Sequence, residues 1–179
     1  MLLPFGNLSI IEEVLQSATR SFIDKTFVIL GSDKEAIGQL IQDYPVETVF
    51  NSLYRNGMLS SVQAGLKSVN EETTAIMVLL GDQPMIGSSI MSEMIETYRT
   101  SDKEIIVATY RGKRGHPLLF GKKYFRQVKE LTVENSLKEL LLNNPDDIEE
   151  METDSSEILR DIDTEKEYIE ELKHQNYYD

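Results

Sequence analysis

Short apolar runs and longer mixed segments alternate along the whole chain. Phe27–Gly31, Val46–Asn51, Ala75–Leu80 and Ile105–Tyr110 read as strands, with shorter candidates at His116–Phe120 and Ile148–Thr153. The run Ala75-Ile76-Met77-Val78-Leu79-Leu80 is apolar throughout, as a strand covered on both faces should be. Helical segments lie between these runs. Ser9 with Glu12, Ser32 with Glu35, and Thr164 with Glu167 each fit a capping box, in which two side chains satisfy orphan amides at a helix start. After Pro84, residues Ile90, Met91, Met94, Ile95 and Tyr98 recur at helical spacing and predict one buried face. This alternation predicts an α/β fold, a mostly parallel sheet with helices on both faces. No repeat, low-complexity tract or Pro/Gly/Ser linker divides the chain, so residues 1–179 read as a single domain. The pattern opens on a turn and a helix, with no strand ahead of them. In a doubly wound sheet the first strand lies near the centre and its following loop holds phosphate. The reading therefore expects a gap in the sheet at that place.

Composition narrows the chemistry. The 179 residues contain no cysteine, which excludes disulfides, thiolate zinc sites and cysteine nucleophiles. Two histidines in the chain argue against a histidine-based metal site. No apolar run approaches the roughly 18 residues of a membrane helix, and the expectation is a soluble, cytoplasmic protein without a membrane partner. The net charge of −13 is unevenly spread. Thirteen acids stand against two bases between Asp146 and Glu171, while residues 1–145 are close to balanced. No acid occurs between Glu104 and Glu130, a gap that holds seven bases from Arg111 to Lys129. Such segregation points to a small anionic ligand near the basic stretch, and the acidic remainder argues against nucleic acid. Most of those bases individually read as solvated surface charge.

Four segments carry the candidate chemistry. Gly81-Asp82-Gln83-Pro84 follows the most apolar strand, which puts Asp82 at a strand's carboxyl end, where open α/β sheets bind ligands. A carboxylate there suits Mg²⁺, a hard ion that bridges to phosphates, and equally suits a turn cap. Arg111-Gly112-Lys113-Arg114-Gly115-His116-Pro117 reads as a mobile turn closing on phosphate or as a charged hairpin turn. The polar loop from Asn51 to Ser61 leads into a helix spanning Ser61–Val69 and can present amides and hydroxyls to a base or sugar. In isolation it is a capped helix start. Asp161-Ile162-Asp163-Thr164 opens the last helix, so Asp163 is either a second metal ligand or a helix-end anion.

In order and spacing these segments resemble the MobA-like nucleotidyltransferases. The resemblance rests on Leu2-Leu3-Pro4-Phe5-Gly6, Asn51 to Leu66 with Gly57-Met58 and Ser60-Ser61, Gly81-Asp82-Gln83-Pro84, Arg114-Gly115-His116-Pro117 and Asp161-Ile162-Asp163-Thr164. The Gly-Asp-Gln-Pro form resembles the molybdenum-cofactor cytidylyltransferase branch. The resemblance implies a three-layer Rossmann-like sheet of the nucleotide-diphospho-sugar transferase type. It also implies transfer of CMP, or another nucleoside monophosphate, from an NTP to a phosphorylated acceptor such as molybdopterin, releasing pyrophosphate. Asp82 and Asp163 are expected to hold Mg²⁺. Asn51, Gly57, Ser60, Ser61, Gly81 and Asp82 are expected to contact the nucleotide, and Arg114 and His116 to border the acceptor. Two other readings stand beside it: a cytidylyltransferase for a sugar or phospho-alcohol, and a non-catalytic nucleotide-binding partner or chaperone of a molybdenum enzyme. Family members carry a strand and a glycine-rich phosphate loop ahead of the Leu-Leu-Pro-Phe-Gly segment. Here that segment begins at Leu2, so the expectation is a chain short of its first strand and loop, with little turnover in this form. Thr132–Leu137 also stands where the family has a Gly-Asp-x-Gly-Ala-Arg segment, which leaves the acceptor open.

Overall fold

The computed structural model describes residues 1–132 and 136–175, and the strand–helix alternation runs through both stretches. Strands β1 (Pro4–Phe5) and β2 (Leu8–Ser9) form a small hairpin that turns at Gly6, whose φ of 65° favours glycine. Helix α1 (Ile10–Arg20) follows at once, and the expected capping box is present. The Ser9 amide donates to Glu12 Oε2 at 2.9 Å, and the Glu12 amide donates to Ser9 Oγ at 3.4 Å. The chain continues through β3 (Phe27–Leu30), α2 (Lys34–Leu40), β4 (Glu47–Phe50), α3 (Met58–Ser68), β5 (Ala75–Val78) and α4 (Ser88–Thr100). It ends with β6 (Ile105–Tyr110), β7 (Lys113–Gly121), α5 (Phe125–Glu130), α6 (Leu137–Asn143), β8 (Ile148–Glu152) and α7 (Glu165–Gln175). Each expected strand is found within a few residues of its predicted limits.

Two local expectations need correction. The Ser32–Glu35 capping box does not form, because Asp33 takes the N-cap of α2 and the Ser32 hydroxyl donates to its carboxylate at 3.0 Å. Thr164 and Glu167, by contrast, do form one: the Thr164 amide reaches Glu167 Oε2 at 2.8 Å and the Glu167 amide reaches Thr164 Oγ1 at 3.3 Å. The second correction concerns strand direction. β3–β4 and β6–β8 are parallel, but β7 runs antiparallel to both β5 and β6. The cause is the loop between β6 and β7. Tyr110 pairs with Lys113, leaving only Arg111 and Gly112 to turn, with φ of 49° and 73°. Two residues with positive φ make a hairpin turn, and so short a link joins only antiparallel neighbours. The fold remains α/β and Rossmann-like, an open sheet between helical layers.

The larger sheet runs β5-β7-β6-β8. On one face α3, α5 and α6 pack through Leu66, Val128 and Leu140 against Val78, Val107 and Phe120. On the other, α4 contributes Ile90, Met91 and Met94 against Ile106, Ala108 and Leu119, as its helical spacing predicted. β3 and β4 form a separate two-stranded sheet, with α1 and α2 packed on it through Ile11, Leu15, Ile37 and Ile41. β3 and β5 do not pair. A slot of about 940 Å³ lies between them, which is the gap expected in the sheet. It also explains why Ala75, Ile76 and Met77 are only half-buried although their apolar run predicted cover on both faces. No helix among the described residues is long and apolar enough to cross a membrane.

Candidate functional site

β5 ends at Val78, and the chain turns through Gly81-Asp82-Gln83-Pro84 beside the mouth of the slot. Met1 crosses close over this turn: a Cβ on Gly81 would lie 2.7 Å from Met1 Sδ, so only glycine fits without displacing it. Asp82 is half-buried, and its Oδ1 has no hydrogen-bonding partner in the protein. The neighbouring Gln83 is 4% exposed, and its Oε1 likewise has none. Burial pushes the Asp82 carboxyl above the usual carboxylate range, and the negative charges of Asp163 and Asp161 push it further in the same direction.

The segment that brings those aspartates there is built from a distant part of the sequence. Ile158 packs over β7 so closely that a Cβ on Gly115 would collide with the Ile158 carbonyl. Gly115 thus sets the approach of the chain that leads to Asp161. From there the Ile162 amide donates to the Asp82 carbonyl oxygen at 3.0 Å, which docks Asp161 and Asp163 beside the β5 turn. Arg160 anchors the same segment to α7 through Glu171 at 2.9 Å, and Glu171 is 7% exposed.

His116 reaches the cluster from β7. Its imidazole is half-buried and hydrogen-bonds to the Val78 backbone, while Nδ1 has no partner. Burial holds its pKa below the usual histidine value, against the opposing effects of the Val78 bond and of Asp161. The ring is therefore neutral at pH 7.

The structure brings Gly81, Asp82, His116 and Asp163 together and treats the other expected residues differently. Arg114 is exposed and paired with Glu150 of β8, its Nε at 2.7 Å from Oε1, so it points across β6 and away from the strand that carries Asp82. The turn before it is tied to β8. The Arg111 amide donates to Glu152 Oε1 at 2.6 Å and Thr109 Oγ1 donates to Oε2 at 2.7 Å, so the hairpin reading holds. Other bases of the stretch have local partners as well, Lys123 on Asp147 and Arg126 on Glu130, each at 2.8 Å.

Asn51 and Ser60 satisfy each other. Asn51 Nδ2 donates to Ser60 Oγ at 2.8 Å and to Ser61 Oγ at 3.1 Å, and the Leu53 amide donates to Asn51 Oδ1 at 2.9 Å. Both residues are buried, and these bonds hold the loop in shape. Gly57 is exposed at a φ of 87°, and a Cβ there would meet nothing within 4 Å, so the loop's open surface lies at that point. Ser61 borders the slot. Val133, Glu134 and Asn135, within the divergent Thr132–Leu137 segment, lie outside the described residues.

Sequence reasoning missed Asp161, Gln83 and the positioning role of Gly115. Asp161 was legible in principle, since Asp161 and Asp163 flank Ile162 with the period of an extended segment and so share a side. Gln83 and Gly115 depend on tertiary packing that carries no local signal. As a metal site the cluster offers carboxylate oxygens from Asp82, Asp161 and Asp163, the chemistry of a hard divalent cation, with the His116 imidazole beside them. Among the described residues no three His, Asp or Glu side chains converge tightly enough for a cage made by protein alone.

Known proteins share this architecture. Rv0371c of Mycobacterium tuberculosis H37Rv, in a crystal structure with manganese, superposes with a TM-score of 0.83 at 24% identity, covering 96% of this chain and 90% of that one. The 4-diphosphocytidyl-2C-methyl-D-erythritol synthase of Anaerococcus prevotii gives 0.82 at 15% identity over 97% of this chain and 88% of that one. In sequence, the bifunctional protein GlmU of a Synechococcus strain is 26% identical over 100 residues, a stretch covering 56% of this chain and 16% of that protein. A family model for the MobA-like NTP transferase domain matches residues 1–148. The chain belongs to the MobA-like NTP transferase domain family.

Proposed function

We propose that residues 1–179 act as one unit that binds a Mg²⁺–nucleotide, CTP in preference, at the carboxyl end of β5 and transfers its nucleoside monophosphate to a phosphorylated small molecule. The observation that carries this reading is the buried, unbonded Asp82 oxygen, set beside Asp161 and Asp163. An orphaned carboxylate raised by burial and then by neighbouring acids is costly, and a divalent cation relieves both penalties at once. Asp82 and Asp163 are the residues that would hold the ion, and the manganese in the Mycobacterium tuberculosis relative supports a divalent site on this fold. When bound, Mg²⁺ neutralises charge on the nucleotide phosphates.

In the reaction an acceptor phosphate oxygen attacks the α-phosphorus. The bond from that phosphorus to its bridging oxygen breaks, and pyrophosphate leaves. Such transfer needs positioning and charge neutralisation more than covalent catalysis. Gly81 lets ligand approach the strand end closely. Gly57 and Ser61 border the nucleotide's base and sugar, with Asn51 and Ser60 holding their loop in shape. His116, held neutral by burial, borders the acceptor.

For the acceptor, a sugar phosphate or a phospho-alcohol is better supported than molybdopterin. The similar structure named for a diphosphocytidyl-methylerythritol product points that way, and GlmU is among the relatives similar in sequence. Pyrophosphate release from CTP, measured with polyol phosphates, sugar phosphates and a phosphorylated pterin as acceptors, separates the alternatives. The expected result is acceptor-dependent release with a polyol or sugar phosphate, lost in Asp82→Asn. Release that Asp82→Asn leaves unchanged would overturn the site, and release with the pterin alone would restore the molybdopterin reading.

A further inference from the structure

Among the described residues, four buried side-chain polar atoms have no hydrogen-bonding partner: Asp82 Oδ1, Gln83 Oε1, His116 Nδ1 and Arg160 Nε. They are far apart in sequence, yet they belong to segments that meet at the carboxyl end of β5. His116 bonds to the Val78 backbone, the Ile162 amide donates to the Asp82 carbonyl, and Ile158 lies against Gly115. A buried polar atom without a partner destabilises a fold, and each such atom in a native protein calls for a reason. Four of them gathered beside one binding site point to a ligand that supplies the missing partners.

Three of the four already have a use. Asp82 is placed for a cation, Arg160 holds Glu171, and His116 borders the acceptor. Gln83 is left over. It is 4% exposed, and a methionine of similar length would fill the same space without an orphan oxygen. Nor does the turn depend on that oxygen. The Gln83 amide donates to the Leu80 carbonyl and the Gln83 carbonyl accepts from the Ile86 amide, each at 3.4 Å, so the main chain holds the bend.

The chemistry of Oε1 limits what it can meet. A glutamine oxygen only accepts hydrogen bonds, and an ionised phosphate brings it no proton. A shared cation does not fit either. Gly81 and Asp82 border the slot and Gln83 does not, so the neighbouring side chains diverge. His116 likewise lies off the slot, on the side assigned to the acceptor. What remains is a donor carried by the acceptor itself, and a sugar or polyol phosphate carries hydroxyls close to its phosphate. We propose, on the reading of this site as one for a phosphorylated small molecule, that Gln83 is a specificity-determining residue whose Oε1 accepts a hydrogen bond from a hydroxyl of a sugar or polyol phosphate. A site that buries an acceptor for such a hydroxyl rejects analogues that lack it, because the oxygen then stays unpaired.

Two ligands and two proteins test this. Erythritol 4-phosphate and butyl phosphate match in carbon count and charge, but only the first carries hydroxyls. Each is titrated calorimetrically into the 179-residue chain and into its Gln83→Met variant. The titrations are run with Mg²⁺ and α,β-methylene-CTP, whose α–β bridge does not break, and again without nucleotide. The expected result is a preference of about tenfold for erythritol 4-phosphate in the wild type, the scale of one hydrogen bond to a buried partner, and near-equal binding of the two ligands in Gln83→Met. The variant should melt no lower than the wild type and bind the methylene nucleotide as the wild type does. Three results would overturn the proposal. They are the same preference in both proteins, no preference in the wild type under either condition, or a variant that melts lower with its preference intact, which would mean that Gln83 serves the fold. Failure of the wild type to bind the methylene nucleotide would count against the Asp82 reading alone, since the ligand preference is also read without nucleotide.

Discussion

Strands β6 and β3 are both short apolar runs, yet they end in different environments. Ile105, Ile106, Val107 and Ala108 of β6 are at most 1% exposed, whereas in β3 only Leu30 is buried. Side-chain type does not separate them, since Val and Ile make up half of each. The difference is pairing. β6 has β7 on one edge and β8 on the other, with helices above and below, while β3 has β4 on one edge and the slot on the other. A strand's burial is therefore set by its neighbours as much as by its sequence, and the two halves should differ in stability and exchange.

The largest contrast is expected from truncation in the two strands. Ile106→Ala removes a fully enclosed side chain and should cost about 3 kcal/mol in urea unfolding. Ile29→Ala, bordering the slot, should cost about 1 kcal/mol, because part of that surface is already exposed. Equal losses would mean that the slot is closed in solution.

Next in size is the anchor of the acidic segment. Arg160→Met leaves Glu171 buried without its partner and should cost about 2 kcal/mol, with Arg160→Lys recovering part of it. No loss would show that α7 does not hold Asp161 and Asp163 in place. Smaller again is the cap of α1, the helix that walls the slot. Ser9→Ala should cost about 1 kcal/mol by thermal melting, and an unchanged melting temperature would mean that this end of α1 frays already.

The smallest effect has the opposite sign. Asp82 is raised above its ordinary value near 3.8, so the folded chain keeps that proton to higher pH than the unfolded chain does. Stability from this group accordingly falls as pH rises through the folded value, and the penalty persists at neutral pH. Asp82→Asn removes it and should raise the melting temperature by about 2 °C at pH 7, with the gain vanishing below pH about 4. A variant less stable than wild type at pH 7 would contradict an unrelieved charge there.

Much of the fold was legible in the sequence because its signals are local. The apolar runs located all six principal strands, and the spacing of Ile90, Met91 and Met94 identified the buried face of α4. What escaped was set by competition or by tertiary approach. Asp33 displaced Ser32 from the N-cap of α2, and Arg111 with Gly112 reversed β7 by a two-residue turn. At the site, Asp82 and its position at a strand end were readable from Gly81 and Pro84. The commitment of Asn51 to Ser60, and of Arg114 to Glu150, was not, because a side chain's choice among polar partners depends on which of them the fold brings near.

The most direct test of the account is calorimetric titration of CTP into the 179-residue chain and its Asp82→Asn variant, with and without Mg²⁺ and with GTP for comparison. The account predicts CTP binding that strengthens with Mg²⁺ in the wild type and loses that dependence in the variant. Equal CTP affinity in the two proteins, or affinity indifferent to Mg²⁺, would contradict it.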